Sequence, residues 1–199
     1  MDDEAAAETA QKPRASHFDR PRFAAEKLGV TPTQRGTAHQ LVMQYIDFDR
    51  TGTLDRVKAE IERLVSFQYL TPEQGEAVDP EKIYAFFRSD LGREALSSPT
   101  LRREFKFSVL EPADRYFPEA GGGEQVLLQG VVDCYFETPE GIVVVDFKTD
   151  RVTPETVRPR AEGYRPQLEA YAQALSEIAG RPVARRALWF FATGESVEV

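Results

Sequence analysis

The chain has 199 residues, 41% of them hydrophobic, enough for one domain with a real core and for none larger than that. Its formal net charge of −8 argues against a free-standing DNA-binding module, which is usually basic, but leaves room for a domain that needs acids to hold a metal. An apolar run of 18 or more residues is absent, which excludes a transmembrane helix, and the single cysteine excludes an internal disulfide.

Residues 1–20 are polar and Ala-rich and read as a linker or disordered tail. They contain no basic stretch followed by an apolar one, so they are not a signal peptide. The remainder, 21–199, reads as one domain, with 21–98 mainly helical and 99–199 carrying a sheet and helix. Gly36 to Phe48 is predicted helical, with Leu41, Val42, Tyr45 and Ile46 at helical spacing and His39 near its start. A lone helix histidine is more often structural than ligating. A second helix is predicted from Leu54 to Phe67. Thr71-Pro72 and Asp79-Pro80 are cap-then-proline helix starts.

From Arg102 the period changes to two. Phe105, Phe107 and Val109 alternate with Glu104, Lys106 and Ser108. Glu104 reads either as a further active-site acid or as a solvated strand acid. Glu111 to Gly123 is rich in turn residues. Then come two strand-like segments, Gln125 to Glu137 and Ile142 to Lys148, around Thr138-Pro139-Glu140-Gly141, a good β-turn. If Thr138 pairs with Gly141, Asp133 lies opposite Asp146, and Lys148 shares the face of Asp146. Val132, Cys134, Phe136, Val143, Val145 and Phe147 then form one apolar face. Cys134 reads as a small buried hydrophobe.

Opposed carboxylates repel, and a divalent cation relieves the repulsion. Mg²⁺ and Mn²⁺ prefer such hard oxygen ligands and leave room for substrate phosphate. A neighbouring ammonium can place water or balance charge on phosphorus. On spacing alone the set reads equally as a metal site or as a surface acid beside an ordinary ion pair. Downstream, Gly163 to Ile178 is a predicted helix closed by Gly180, with Gln167 and Tyr171 on one face. A strand at Ala187 to Ala192 completes the sheet. Arg158, Arg160, Arg165 and Arg185 form a basic set that could meet phosphates or merely solvate a surface.

The order "RGTAHQLVMQYIDF", "REFKFSV", "GVVDCYF…VVVDFKTD", "YRPQLEAYAQAL" resembles the RecB-like branch of the PD-(D/E)XK nuclease superfamily, and within it the C-terminal nuclease domains of AddA-type helicase–nucleases. The resemblance spans about residues 34 to 192. It implies an α/β fold of restriction-endonuclease-like type, a mixed sheet flanked by helices with a helical N-terminal half. It implies His39, Asp133, Asp146 and the Phe147 backbone carbonyl as metal ligands for Mg (or Mn), Lys148 as the catalytic lysine, and Gln167 and Tyr171 as supports of the site. Phe147 stands where the family often has Tyr, which matters little for a backbone ligand. The implied activity is that of a Mg-dependent deoxyribonuclease (exonuclease) acting on helicase-unwound, single-stranded DNA during double-strand-break repair. The implied partners are helicase domains of a parent chain and an AddB-like protein, in the bacterial cytoplasm and without a membrane. The chain has no phosphate loop of its own, so ATP binding is not expected of it. The rival readings are a non-catalytic DNA-binding or structural domain of the same fold, and a stand-alone RecB-like nuclease.

Overall fold

The computed structural model describes residues 32–119 and 121–199. The expected tail, 1–20, lies outside them. Helix α1 (Pro32–Tyr45) leads through a 3-10 turn (Phe48–Arg50) to α2 (Leu54–Ser66), α3 (Pro72–Ala77), α4 (Pro80–Arg88) and α5 (Asp90–Ser97). Strands β1 (Arg102–Pro112), β2 (Gln125–Thr138) and β3 (Gly141–Lys148) follow, then α6 (Val157–Glu162), α7 (Arg165–Ala179), β4 (Val183–Phe190) and β5 (Glu195–Glu198). Among the described residues no helix is long and apolar enough to cross a membrane.

The helix starts follow their caps. Thr53 accepts from the Arg56 amide, Thr71 forms a full capping box with Gln74, and Asp79 accepts from the Glu81 amide. Gly180 closes α7 in the left-handed conformation, as expected. Two elements escape the sequence pattern. Helix α5 starts on Ser89, whose hydroxyl accepts from the Gly92 amide. Strand β5 offers only Val197 to the core and pairs antiparallel to β4.

The five strands make one mixed sheet in the order β1-β2-β3-β4-β5, antiparallel except for the parallel pair β3–β4. Every residue of β3 before Lys148 is buried. That is why Ile142 to Val145 is an unbroken apolar run: both faces of this central strand are covered. One face packs on the helical half, where Cys134, Phe136, Val143, Val145, Phe147 and Trp189 meet Val42, Ile46, Leu64 and Phe86. The other packs on α6 and α7 through Val144, Leu188, Phe190, Ala161, Leu168 and Leu175.

The hairpin register is as expected, Thr138↔Gly141 through Cys134↔Val145. One detail differs. Val132 does not share a face with Cys134; it packs on the α7 side with Phe107 and Leu168. The cause is a matched kink in β1 and β2. Their ladder runs Arg103↔Cys134, skips Glu104 and Asp133, and resumes at Phe105↔Val132. Glu104 has φ +50, in the left-handed region. Such a conformation costs about 1–2 kcal/mol in a residue with a side chain and marks functional sites more often than chance. The kink flips the alternation. Arg103 donates to the Met43 and Ile46 carbonyls on the helical side, whereas Phe105 packs with the α7 cluster.

Candidate active site

The kink places two acids at one spot. Glu104 and Asp133 line a cavity of about 260 Å³ together with Thr37, Gln40 and Gln44 of α1. Asp133 does not simply oppose Asp146 in a regular ladder, because the pairing ends at Cys134↔Val145. Its Oδ2 instead accepts from the Phe147 amide at 2.8 Å. The carboxylate thus takes over a backbone donor at the point where the two strands part.

Asp146 is 4% exposed, and its Oδ2 lies 2.6 Å from Lys148 Nζ. Lys148 donates to Gln167 Oε1 at 3.1 Å, and Gln167 Nε2 donates to the Tyr171 hydroxyl at 2.8 Å. The expected four-residue spacing on α7 therefore becomes a relay from helix to lysine. Tyr171 stands edge-on to Phe107. Gly130 makes this fit possible, since a Cβ there would lie 2.7 Å from the Phe107 ring and 3.1 Å from that of Tyr171.

The electrostatics are those of crowded, buried acids. Burial and the Asp146 charge push the Asp133 carboxyl up to about 7, against the pull of the Phe147 amide. Burial also raises Asp146, opposed by Lys148. Glu104 is raised by burial, with Arg103 and Lys106 pulling the other way. Cys134 is fully buried, and burial raises its thiol to about 12, consistent with a packing role.

Two residues that the sequence pattern did not single out, Tyr164 and Asp150, join the site and bring Arg160 with them. Lys148 Nζ lies 3.8 Å from the centroid of the Tyr164 ring, a close cation–π contact. The Tyr164 hydroxyl donates to both Asp150 oxygens and accepts from Arg160 Nη2, while Arg160 Nε donates to Asp150 Oδ1. The signal was present in "YRPQLEAY": Tyr164, Gln167 and Tyr171 stand at 0, 3 and 7, on one helix face. Arg160 is thereby committed to Asp150. Arg165 pairs with Glu162, and Arg185 with Glu94 and Glu198. Of the expected basic set these three are held in ion pairs within the chain. Tyr164→Leu should lower kcat roughly 3- to 30-fold, the range of a desolvated cation–π contact of about 0.5–2 kcal/mol. Tyr164→Phe should recover most of it, with KM little changed in both. Equal losses in Leu and Phe, read by steady-state turnover, would make the hydroxyl rather than the ring the positioning group.

His39 is 8% exposed and sits on α1 with its ring 5.4 Å from that of Phe191. Phe191 in turn stacks on Phe147. His39 lines a second cavity, with Thr149 and Asp150, just past Lys148. Among the described residues no three His, Cys, Asp or Glu side chains converge as a group that could hold an ion. In chemistry the donors nevertheless fit a hard divalent cation: the half-buried Asp133, raised by burial and then by the charge of the buried Asp146, makes with it a pair of oxygen ligands whose mutual repulsion a cation would remove.

Comparison with known proteins adds an independent line. The family model of the PD-(D/E)XK nuclease superfamily matches residues 13–198. An ATP-dependent helicase/nuclease subunit from Acetivibrio thermocellus is 40% identical over 179 residues, covering 88% of this chain and 14% of that protein. The protein of the same name from Desulforamulus reducens is 37% identical over 90% of this chain and 14% of its own length. That from Bacillus mycoides is 38% identical over 91% and 15%. The chain thus spans about one seventh of the length of these relatives.

Proposed function

Because the chain belongs to the PD-(D/E)XK nuclease superfamily, we propose that it hydrolyses DNA phosphodiester bonds with the help of Mg²⁺ or Mn²⁺. The observation that carries this reading is the pair of the half-buried Asp133 and the buried Asp146 with the Lys148 ammonium held at its edge by Gln167. Asp133, Asp146, the Phe147 carbonyl and His39 are the residues that would hold the ion, with Glu104 a further acid lining the same cavity as Asp133. Such an ion supplies Lewis acidity, lowering the pKa of a water and offsetting charge on the phosphate.

The chain's own groups do the positioning. Lys148 donates to Gln167, pairs with Asp146 and has the Tyr164 ring against its ammonium; giving up one of these contacts would free an N–H for the attacking water or a non-bridging phosphate oxygen. Water adds to phosphorus and gives up a proton, the bond from phosphorus to the leaving sugar oxygen breaks, and that oxygen takes up a proton, so the proton count is unchanged. As negative charge grows on the phosphate oxygens, Lys148 stabilises it more than in the ground state. Gln167 and Tyr171 keep the ammonium from collapsing wholly onto Asp146.

The name of the relatives couples helicase and nuclease. We read this chain as the nuclease part of such a protein, an exonuclease on strands released by helicase domains of the parent chain and an AddB-like partner, in bacterial double-strand-break repair. The net charge of −8 supports that reading, since a helicase that delivers the strand relieves the nuclease of gripping it alone. A non-catalytic DNA-binding domain would not need to keep two repelling acids packed beside a lysine.

The test is cleavage of end-labelled single-stranded DNA by the purified chain in Mg²⁺, Mn²⁺ or EDTA, with Asp146→Asn alongside. Cleavage should require the ion, and the variant should lose at least ~10²–10³-fold in rate. Cleavage in EDTA would overturn the metal reading. Wild-type rates in Asp146→Asn would overturn the site. Calorimetric Mn²⁺ titration of His39→Ala should show affinity weakened by roughly ten-fold or more if the imidazole is a ligand.

A further inference from the structure

The cavity of about 150 Å³ that holds His39 also receives Lys82 from the first turn of α4 and Arg151 from the loop after β3. Neither cation has an ion-pair or hydrogen-bond partner among the described residues, in a chain whose acids outnumber its bases by 33 to 25. The acid that lines the same cavity, Asp150, is already taken by Arg160 and by the Tyr164 hydroxyl. Two exposed positive charges are therefore left at the rim of a small hollow. Its wall is built by a close approach: a Cβ on Gly36 would lie 2.7 Å from Thr149 Oγ1, so glycine lets α1 close against the loop. Phe191, whose amide donates to the Lys148 carbonyl at 3.0 Å, fixes the start of that loop.

We propose that Lys82, Arg151 and the Thr149 hydroxyl form a phosphate subsite that binds the backbone phosphate next to the scissile one on the substrate strand. The subsite rests on the nuclease reading for its place: Asp150 lines the hollow and accepts from the Tyr164 hydroxyl, whose ring packs on Lys148, so a phosphate in the hollow would lie next to one presented to Lys148. Arg151 offers a planar fork of donors, Lys82 a mobile point charge, and Thr149 a neutral donor. Together they match a singly charged phosphodiester and would set the register of the strand rather than read its sequence.

The experiment measures binding of a fluorescent single-stranded oligonucleotide to the full chain in EDTA across a salt series, and cleavage in Mg²⁺. Lys82→Ala/Arg151→Ala is compared with wild type, with Lys82→Arg, and with oligonucleotides carrying one neutral methylphosphonate. The slope of log K against log salt should fall by about 0.7 in the double variant, the value for one phosphate on a single strand. KM should rise several-fold with kcat changed by no more than about two-fold, and Lys82→Arg should keep the wild-type slope. One methylphosphonate position should weaken wild type and leave the double variant unaffected. An unchanged slope, or equal sensitivity of both proteins to every methylphosphonate, overturns the subsite even where cleavage is intact. A reduced slope without cleavage in any metal would keep the subsite and overturn the nuclease reading. Inorganic phosphate that competes as well as the oligonucleotide would mark a free-phosphate site and overturn the strand assignment.

Discussion

Asp133→Asn should stop DNA cleavage and, in the same protein, raise the stability of the metal-free fold at pH 8. The two effects share one cause. Asp133 sits where burial and the Asp146 charge disfavour its ionised form, and its carboxyl titrates near 7 rather than 3.8. The folded state therefore binds a proton more tightly than the unfolded one. Its contribution to stability is full below about pH 4, falls as the pH rises from about 4 to about 7, and is absent above that. Full linkage for such a shift would be about 4 kcal/mol. Because the two acids titrate together, a loss of about 1–3 kcal/mol between pH 5 and 8 is expected. Asparagine keeps an acceptor for the Phe147 amide and removes the charge. Urea or thermal unfolding in EDTA at both pH values reads the result, each kcal/mol being worth roughly 2–4 °C in a chain of this size. Added Mn²⁺ should stabilise wild type well above the variant. A variant that is less stable than wild type at pH 8 would mean that the ionised Asp133 is a structural anchor and not a strained ligand.

Lys148→Ala should lower the cleavage rate by roughly 10²–10³-fold while Mn²⁺ affinity stays within a few-fold of wild type. A protonated lysine cannot ligate a cation, and its ammonium competes with one for Asp146 Oδ2. On the proposed reading, removing it takes away a donor to the reacting phosphate but no ligand. It also strips Asp146 of the cation that opposes its upward shift, so the metal-free variant should lose more stability than wild type as the pH rises. Calorimetric titration beside a cleavage assay decides the matter. Retained cleavage with lost Mn²⁺ affinity would reverse the roles of Lys148 and the acids.

Where a feature depends on neighbours along one strand or one helix, the sequence alone determined it. Helices α2, α3 and α4 begin on Thr53, Thr71 and Asp79, because capping is a contact within three residues. The hairpin register follows from the four residues of its turn, since pairing is a zipper started there. The Gln167–Tyr171 contact follows from the helical repeat. Only the tertiary structure decided the rest. The kink at Glu104 and Asp133 arises between two strands and reverses the alternation that each strand shows by itself, so it moved Val132 to the opposite face. Strand β5 has one apolar residue and exists because β4 offers it an edge. Which arginines are free was equally invisible. Arg160 is matched to an acid ten residues away and Arg185 to one ninety-one away, whereas Lys82 and Arg151, sixty-nine residues apart, line one cavity with no acid paired to them among the described residues. Charge pairing over such separations is set by how helices pack on a sheet, and local sequence carries no record of it.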